Sequence, residues 1–198
     1  MKQEDIPQVS LIESDAFPQL FPSTSFRKEL QRQISTVIVA ISTSNIDKTS
    51  NMMSPNPALI PRSDRPYRSG NTGWRPGMEF LTGFVLIWNV TNEESHVISI
   101  GTRRSHRRKG IGELLLYSAM ARCIDNGIES LTLEVRVSNK AAISLYEKYG
   151  LDKKGTRKAY YADNHEDAHI MTVEDIQSST YKRLLDEKWD ILRHRISN

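Results

Sequence analysis

The sequence has few of the features that mark several common classes of protein. Its 198 residues include one cysteine, Cys123, so no internal disulfide can form, and we expect Cys123 in the core of a protein from a reducing compartment. No run of about 18 apolar residues occurs, which is the length that a membrane-spanning helix needs. Residues 1–5 carry two acids and no apolar stretch follows them, unlike a signal peptide. We therefore expect a cytoplasmic protein without membrane contact.

A large excess of charge of either sign is also missing. Lys and Arg number 27 and Asp and Glu 24, a net charge of +3, which does not predict a general nucleic-acid-binding surface. The histidines at positions 96, 106, 165 and 169 do not have the spacing of metal ligands, so we expect no metal site. The length suits one domain.

Basic residues and glycines are concentrated just before the clearest amphipathic helix, where residues 107–112 read Arg-Arg-Lys-Gly-Ile-Gly. Apolar residues then recur at helical spacing from Leu115 to Ile124, and Asn126 with Gly127 is expected to end the helix. The first turn of a helix has N–H groups without partners and the positive end of the macrodipole, and glycines let a bulky ligand approach them. The run therefore predicts a phosphate or pyrophosphate site.

Short motifs of this kind recur by chance, so other interpretations of residues 107–112 stay open. A lone Gly-x-Gly is weak, and the Gly-Lys-Ser/Thr of a Walker loop does not follow. The run could equally be an ordinary solvated turn, or a nucleic-acid patch. The patch would need interleaved aromatic residues or a larger basic face, and neither is evident.

The remaining periodicities predict a mixed α/β protein with a central sheet. Helices are expected from residue 5 to 17, from 23 or 24 to 33, after the N-cap pair Ser138 and Asn139 as far as Gly150, and beyond Glu174. Strands are expected at 37–41, 80–90, 96–100, 131–137, 151–159 and 167–173. Residues 42–78 lack periodicity and contain five of the eight prolines, which indicates a flexible insertion. We divide the chain into a domain at 1–173 and a C-terminal amphipathic helix at 174–198, which could pack on the domain or mediate association.

Residues 107–112 resemble the R/Q-x-x-G-x-G/A signature of the GNAT acyltransferases. Residues 131–151 are similar to the L-x-L-E-V-R-x-S-N-x-A-A-I-x-L-Y-E-x-x-G-F stretch of the RimI-type N-terminal acetyltransferases within that family. Residues 157–161 and 166–171 resemble the R-x-x-Y-Y and E-D-A-x-x-M of the same group. The resemblance covers residues 1–41 and 80–173, and it implies the GNAT fold, a mixed sheet flanked by helices.

The resemblance implies an acetyl-CoA-dependent N-acetyltransferase acting on a protein α-amino group, that of the N-terminal alanine of a small-subunit ribosomal protein. An ammonium cannot attack a thioester, so the amine must lose a proton and the departing thiolate must gain one. By resemblance Glu134 is the base, directly or through water, and Tyr146 is the acid. Outside the motif, Glu134 would be interpreted as a solvated or salt-bridged strand residue of ordinary pKa and Tyr146 as a core residue. By the same resemblance, Tyr160 and Tyr161 face the peptide N-terminus.

The same resemblance implies that acetyl-CoA is held by Ile100, Thr102, Arg107, Arg108, Lys109, Gly110, Ile111, Gly112 and Asn139. The chain departs from the family pattern at Gly101, which is expected to weaken its strand, and in lacking a full strand before the first helix. A GNAT enzyme acting on a small-molecule amine or a lysine side chain is the alternative. The sequence leaves the oligomeric state open.

Overall fold

The computed structural model describes residues 1–18, 23–42 and 79–197, so the expected insertion at 42–78 lies outside the described residues apart from Ser42. The strands are β1 Ser35–Ile41, β2 Leu81–Asn89, β3 Glu94–Thr102, β4 Ser130–Arg136, β5 Asp152–Arg157 and β6 Ala168–Val173. The α-helices are α1 Ile6–Ala16, α2 Phe26–Glu29, α3 Ile111–Asp125, α4 Lys140–Lys148 and α5 Ser179–Ser197, and short 3-10 helices cover Gln3–Asp5 and Arg104–His106.

The six described strands form one mixed sheet in the order β1-β2-β3-β4-β6-β5. Its neighbours are antiparallel except β3 and β4, which are parallel. The parallel register runs from Glu94 opposite Ser130 to Val97 opposite Leu133, although both strands continue beyond it. The strands separate where β3 has a bulge. Leu86 of β2 pairs with Ser99 and Ile87 pairs with Val97, so Ile98 has no partner on β2. The sheet therefore opens between the carboxyl ends of β3 and β4, where sheets of this kind bind ligands.

Side chains on the two faces of β2 belong to different cores because alternate strand residues point to opposite faces. Val85 and Ile87 join the larger core, which α3, α4 and α5 cover. Phe84 and Leu86 join the smaller core under α1 and α2, where Phe26 packs edge-on against Phe84 with ring centroids 5.4 Å apart. The central sheet is therefore buried from both sides and gives the opening between β3 and β4 a rigid frame.

The C-terminal helix α5 packs on the domain and runs antiparallel to α3. The Tyr181 hydroxyl donates to the Tyr149 carbonyl at 3.0 Å and lies 3.1 Å from the Met120 sulfur. Further along, Trp189 stacks on Tyr117 with centroids 4.7 Å apart. These aromatic and apolar contacts explain the amphipathic pattern beyond residue 174.

The predicted elements are largely confirmed, and two expectations are corrected. The second helix, expected from residue 23 or 24 to 33, is a single turn at Phe26–Glu29, and Leu30 directly after it is 38% exposed. One buried aromatic does not offset the conformational entropy lost in ordering further turns. Gly101 does not interrupt β3; it lies within the strand, and a Cβ there would come 2.9 Å from the ring of Phe84.

Two structural absences concern the described residues alone. No strand precedes α1 among them, and the Met1 ammonium donates to the Val37 carbonyl of edge strand β1 at 3.1 Å. Within the same ranges, no helix combines the length and the apolar run needed to cross a bilayer.

Candidate active site

The backbone before α3 forms a row of hydrogen-bond donors. Arg108 and Gly110 have positive φ values of 65° and 81°, and Gly110 is the N-cap of α3. None of the N–H groups of residues 108–113 donates a hydrogen bond to another described residue. When left-handed residues alternate with others just before a helix, successive N–H groups point into one concave surface. Such a surface suits an anion. The geometry agrees with the anion site predicted for residues 107–112.

Gly112 leaves space in front of these donors. A Cβ built on Gly112 would meet only the Thr102 hydroxyl within 4 Å, at an ordinary contact of 3.6 Å. The protein itself therefore does not require glycine at this position. An open surface beside unpaired N–H groups is what the approach of a pyrophosphate would need.

The basic side chains near the loop have different environments. Arg103, just before the loop, is 4% exposed, and its Nε donates to the Leu81 carbonyl at 2.9 Å. Arg104 and Arg107 lie 3.3 Å and 4.0 Å from the Asp15 carboxylate of α1. Arg108 and Lys109 are exposed and form no ion pair with a described residue, so they are available to a ligand.

Strand β3 presents backbone groups to the opening. The Arg103 N–H donates to the Thr82 carbonyl at 2.9 Å, and antiparallel hydrogen bonding alternates along a strand. Ile100 and Thr102 therefore direct their N–H and C=O groups away from β2, toward β4. Because β4 is no longer paired with β3 at this level, these groups face the opening, and the Thr102 carbonyl accepts there from the Arg107 Nε at 3.4 Å.

Glu134 lies on β4 immediately beyond the last parallel pair. Its side chain is 9% exposed, with one oxygen 2.6 Å from His96 Nε2 and the other 3.1 Å from an Arg157 nitrogen. The hydrogen bond from His96 lowers the pKa of Glu134 more than burial raises it, and the charge of Arg157 lowers it further. The expected ordinary pKa was therefore wrong, because the sheet brings the imidazole of His96 and the guanidinium of Arg157 to this carboxylate.

Tyr146 and Asn139 come from α4. Tyr146 is 6% exposed, its hydroxyl bonds to no described residue, and burial raises the pKa of its phenol, with Tyr161 nearby adding to the effect. A phenol of raised pKa stays protonated and can donate. Asn139 is the N-cap of α4, as predicted, and its side-chain oxygen accepts from the Ala142 N–H at 3.3 Å. Its amide nitrogen is left for a ligand.

Tyr160 and Tyr161 lie in the loop between β5 and β6, with their rings edge-on and centroids 5.2 Å apart. Burial raises the pKa of Tyr161 to about 12. The charge of Glu134 also raises the pKa of both tyrosines, so the pair lies near Glu134. The Arg157 guanidinium lies 5.6 Å from the Tyr160 ring centre.

Arg136 anchors this loop. Its guanidinium donates to both Asp163 oxygens at 2.8 and 3.0 Å, to Asn164 at 3.0 Å and to Glu166 at 3.2 Å. It also covers the Tyr161 ring at 3.8 Å. A planar guanidinium can donate to several partners at once, so Arg136 holds the loop and Tyr161 in position.

Two of these residues, His96 and Arg136, were absent from the predicted site. His96 had been considered only as a metal ligand. Arg136 lies two residues after Glu134 on β4, so strand alternation alone places both on one face. His96 lies on β3, and finding it requires the β3–β4 pairing, which sequence periodicity does not supply. The polar residues on the predicted strands were the available signal.

Comparison with known proteins gives consistent findings. Residues 62–151 match the model of the acetyltransferase (GNAT) family, a range that begins inside the expected insertion. The chain is 41% identical over 93 residues to a Bacillus subtilis protein provisionally named a ribosomal protein bS18-alanine N-acetyltransferase, covering 47% of this chain and 61% of that protein. It is 47% identical over 79 residues to an N-alpha-acetyltransferase of Saccharolobus solfataricus, covering 39% and 47%. The chain thus spans less than two thirds of either relative.

The fold also matches a solved structure. The ribosomal-protein-S18-alanine N-acetyltransferase of Escherichia coli superposes with a TM-score of 0.63 at 23% identity, over 88% of this chain and 90% of that one. The likeness shows that the mixed six-stranded sheet and its flanking helices have the GNAT acetyltransferase arrangement.

Proposed function

We propose that this chain is an acetyltransferase of the GNAT family and transfers the acetyl group of acetyl-CoA to a protein N-terminus. The observation that carries the proposal is the row of unpaired N–H groups at residues 108–113, next to the opening that contains Glu134. An anionic cofactor at the row and an amine at Glu134 would meet between the ends of β3 and β4.

In this proposal the pyrophosphate of acetyl-CoA binds the N–H groups of residues 108–113, with Arg107, Arg108 and Lys109 contributing positive charge. The space in front of Gly112 fits such a group, because no side chain fills it. The pantetheine arm follows the backbone groups of Ile100 and Thr102 that face the opening, and the Asn139 amide donates to it. Bound in this way, the cofactor supplies a thioester carbonyl at the opening.

The incoming amine must lose a proton before it attacks. We assign this step to Glu134 with His96 as its partner. Because the pKa of Glu134 is lowered, the carboxylate is charged at neutral pH and can accept a proton, directly or through a water molecule. The hydrogen-bonded imidazole of His96 then provides a second acceptor in contact with the first.

We assign to Tyr146 the donation of a proton to the leaving group. As the C–S bond breaks, the departing thiolate needs a proton, and the Tyr146 phenol donates it. Two features support the assignment: the hydroxyl is not engaged by a described residue, and burial raises its pKa so that the proton is present throughout the neutral range. The buried ring also limits where the hydroxyl can point.

The substrate in this proposal is an N-terminal alanine of a ribosomal protein. Tyr160 and Tyr161 provide phenolic donors near Glu134, on a loop fixed by Arg136, and they would bind the peptide backbone. The two curated relatives and the solved structure carry names that specify N-terminal acetylation, and two of the three specify ribosomal protein S18 alanine.

Mass spectrometry on two peptides tests the proposal. The first has a free N-terminal alanine and models the start of a ribosomal protein, and the second is the same peptide with a blocked N-terminus and an internal lysine. With acetyl-CoA, the first peptide should be acetylated at its α-amino group and the second should not. Acetyl transfer to the lysine of the second would support the lysine acetyltransferase alternative, and no transfer to either peptide would contradict N-terminal peptide acetylation.

A further inference from the structure

The last turn of α5 lies against the start of α3. A Cβ built on Gly110 would come 3.1 Å from Ile196 Cγ2 and 3.3 Å from an Arg195 guanidinium nitrogen. Gly110 is part of the row of free N–H groups at residues 108–113. A helix outside the family resemblance therefore places a cation beside the anion-binding loop.

The carboxylate of Glu113 holds this cation. Glu113 belongs to the first turn of α3, is buried, and accepts hydrogen bonds from Arg195, from Lys148 at 2.5 Å and from Tyr149 at 3.1 Å. Burial raises the pKa of Glu113, but Lys148 and Arg195 outweigh that effect, so the carboxylate is charged. A single negative charge there would repel a phosphate. With two cations bound to it, the cluster has a net positive charge.

Arg195 keeps donors that Glu113 does not use. Its side chain is 49% exposed, and its Nε and second terminal nitrogen donate to no other described residue. A guanidinium presents five N–H groups in a rigid plane, so one edge can bind a carboxylate while another binds a phosphate. The guanidinium lies beside the loop: its Nε, which Glu113 does not engage, is 3.6 Å from a Cβ built on Gly110, and the terminal nitrogen bonded to Glu113 is 3.3 Å from the same point.

Helix α5 is anchored well enough to position this side chain. Leu192 is completely buried one turn before the end, and Trp189 stacks on Tyr117. The carboxyl end of a helix carries partial negative charge, which would disfavour a nearby anion. Arg195 in the last turn and Arg193 just before it offset that charge.

We propose that α5 is part of the acetyl-CoA site and that Arg195 binds a phosphate of the cofactor. The inference rests on the proposed function, since it assumes that acetyl-CoA occupies the loop at 107–112. The phosphate is either the diphosphate bridge or the 3′-phosphate of the adenosine, because both present oxygens to a guanidinium with the same chemistry.

Calorimetric titration with CoA tests this on the full-length protein. Arg195→Gln should weaken CoA binding about tenfold, the size expected for a charge-assisted hydrogen bond that is partly exposed to solvent. Arg193→Gln is the matched control. It removes the same charge from the same turn, but Arg193 pairs with Asp190 at 3.1 Å, and residues two apart on a helix do not share a face. The control should bind within about twofold of wild type, since distant exposed charges are screened.

A double variant distinguishes two roles of Arg195: binding a phosphate, or only neutralising Glu113. If Arg195 only neutralises Glu113, then Glu113→Gln combined with Arg195→Gln should regain wild-type affinity, and this result would overturn the proposal. If Arg195 binds phosphate, the double variant should stay weak. Equal affinity of wild type and Arg195→Gln would also overturn it, whereas a wild type that does not bind CoA would refute the proposed function instead. Titration with 3′-dephospho-CoA identifies the phosphate: the Arg195→Gln defect persists if the diphosphate is bound and disappears if the 3′-phosphate is bound.

Discussion

Replacing Gly112 with valine should separate cofactor binding from folding. The new Cβ meets only the Thr102 hydroxyl, at an ordinary 3.6 Å, and Gly112 is helical with no strained φ. Valine is a better helix former than glycine by a few tenths of a kcal/mol, so the free energy of unfolding should change by less than about 1 kcal/mol. The three added carbons, however, fill the space in front of the free N–H groups of residues 108–113. Overpacking a ligand site by this volume costs roughly 1–3 kcal/mol, or about 5- to 150-fold in affinity.

Calorimetric titration of CoA and thermal unfolding of the free protein measure the two effects. Gly112→Ala is the graded control: the signature that this loop resembles allows alanine there, so CoA affinity should stay near wild type. Gly155→Val, on strand β5 away from the loop, controls for the substitution itself, since its Cβ would meet Ile170 at an ordinary 3.5 Å. Wild-type CoA affinity in Gly112→Val would refute the assignment of this space to the pyrophosphate. A large drop in melting temperature would refute the packing argument.

Three further predictions concern the proposed chemistry. Tyr146→Phe should lower kcat by roughly 10² to 10⁴ in steady-state kinetics, as expected for loss of a general acid, while calorimetry finds unchanged CoA affinity; unchanged turnover would remove that role. His96→Gln removes the main cause of the lowered pKa of Glu134, so the carboxylate should take up its proton at higher pH. The acidic limb of the kcat/KM profile should then move to higher pH. An unmoved limb would contradict the coupling between the two residues. Arg136→Lys keeps the charge but loses the fork that binds the Tyr161 loop, so KM for the peptide should rise while the CoA Kd does not change; equal effects on both would indicate a general structural defect.

Prediction from sequence was most accurate where local rules decide the structure. The helical spacing from Leu115 to Ile124 predicted α3, and Asn139 was correctly identified as the cap of α4. Both depend on residues within a few positions of each other. The start of α3 directly after the basic run was likewise predictable, because a helix start is a local property. Helix α2 was predicted too long because its length depends on packing against β2, which spacing alone does not reveal.

The sequence by itself determined the elements, their approximate order and the loop that precedes α3, because each is encoded by neighbouring residues. Only the tertiary structure decided which distant side chains meet. Glu134 contacts His96, 38 residues away, because β3 and β4 pair in parallel up to Val97 and then separate. Glu113 contacts Arg195, 82 residues away, because α5 lies antiparallel along α3 and ends at Gly110. Such contacts follow from strand pairing and helix packing, which minimise exposed apolar surface over the whole chain and leave no periodic trace in any one segment.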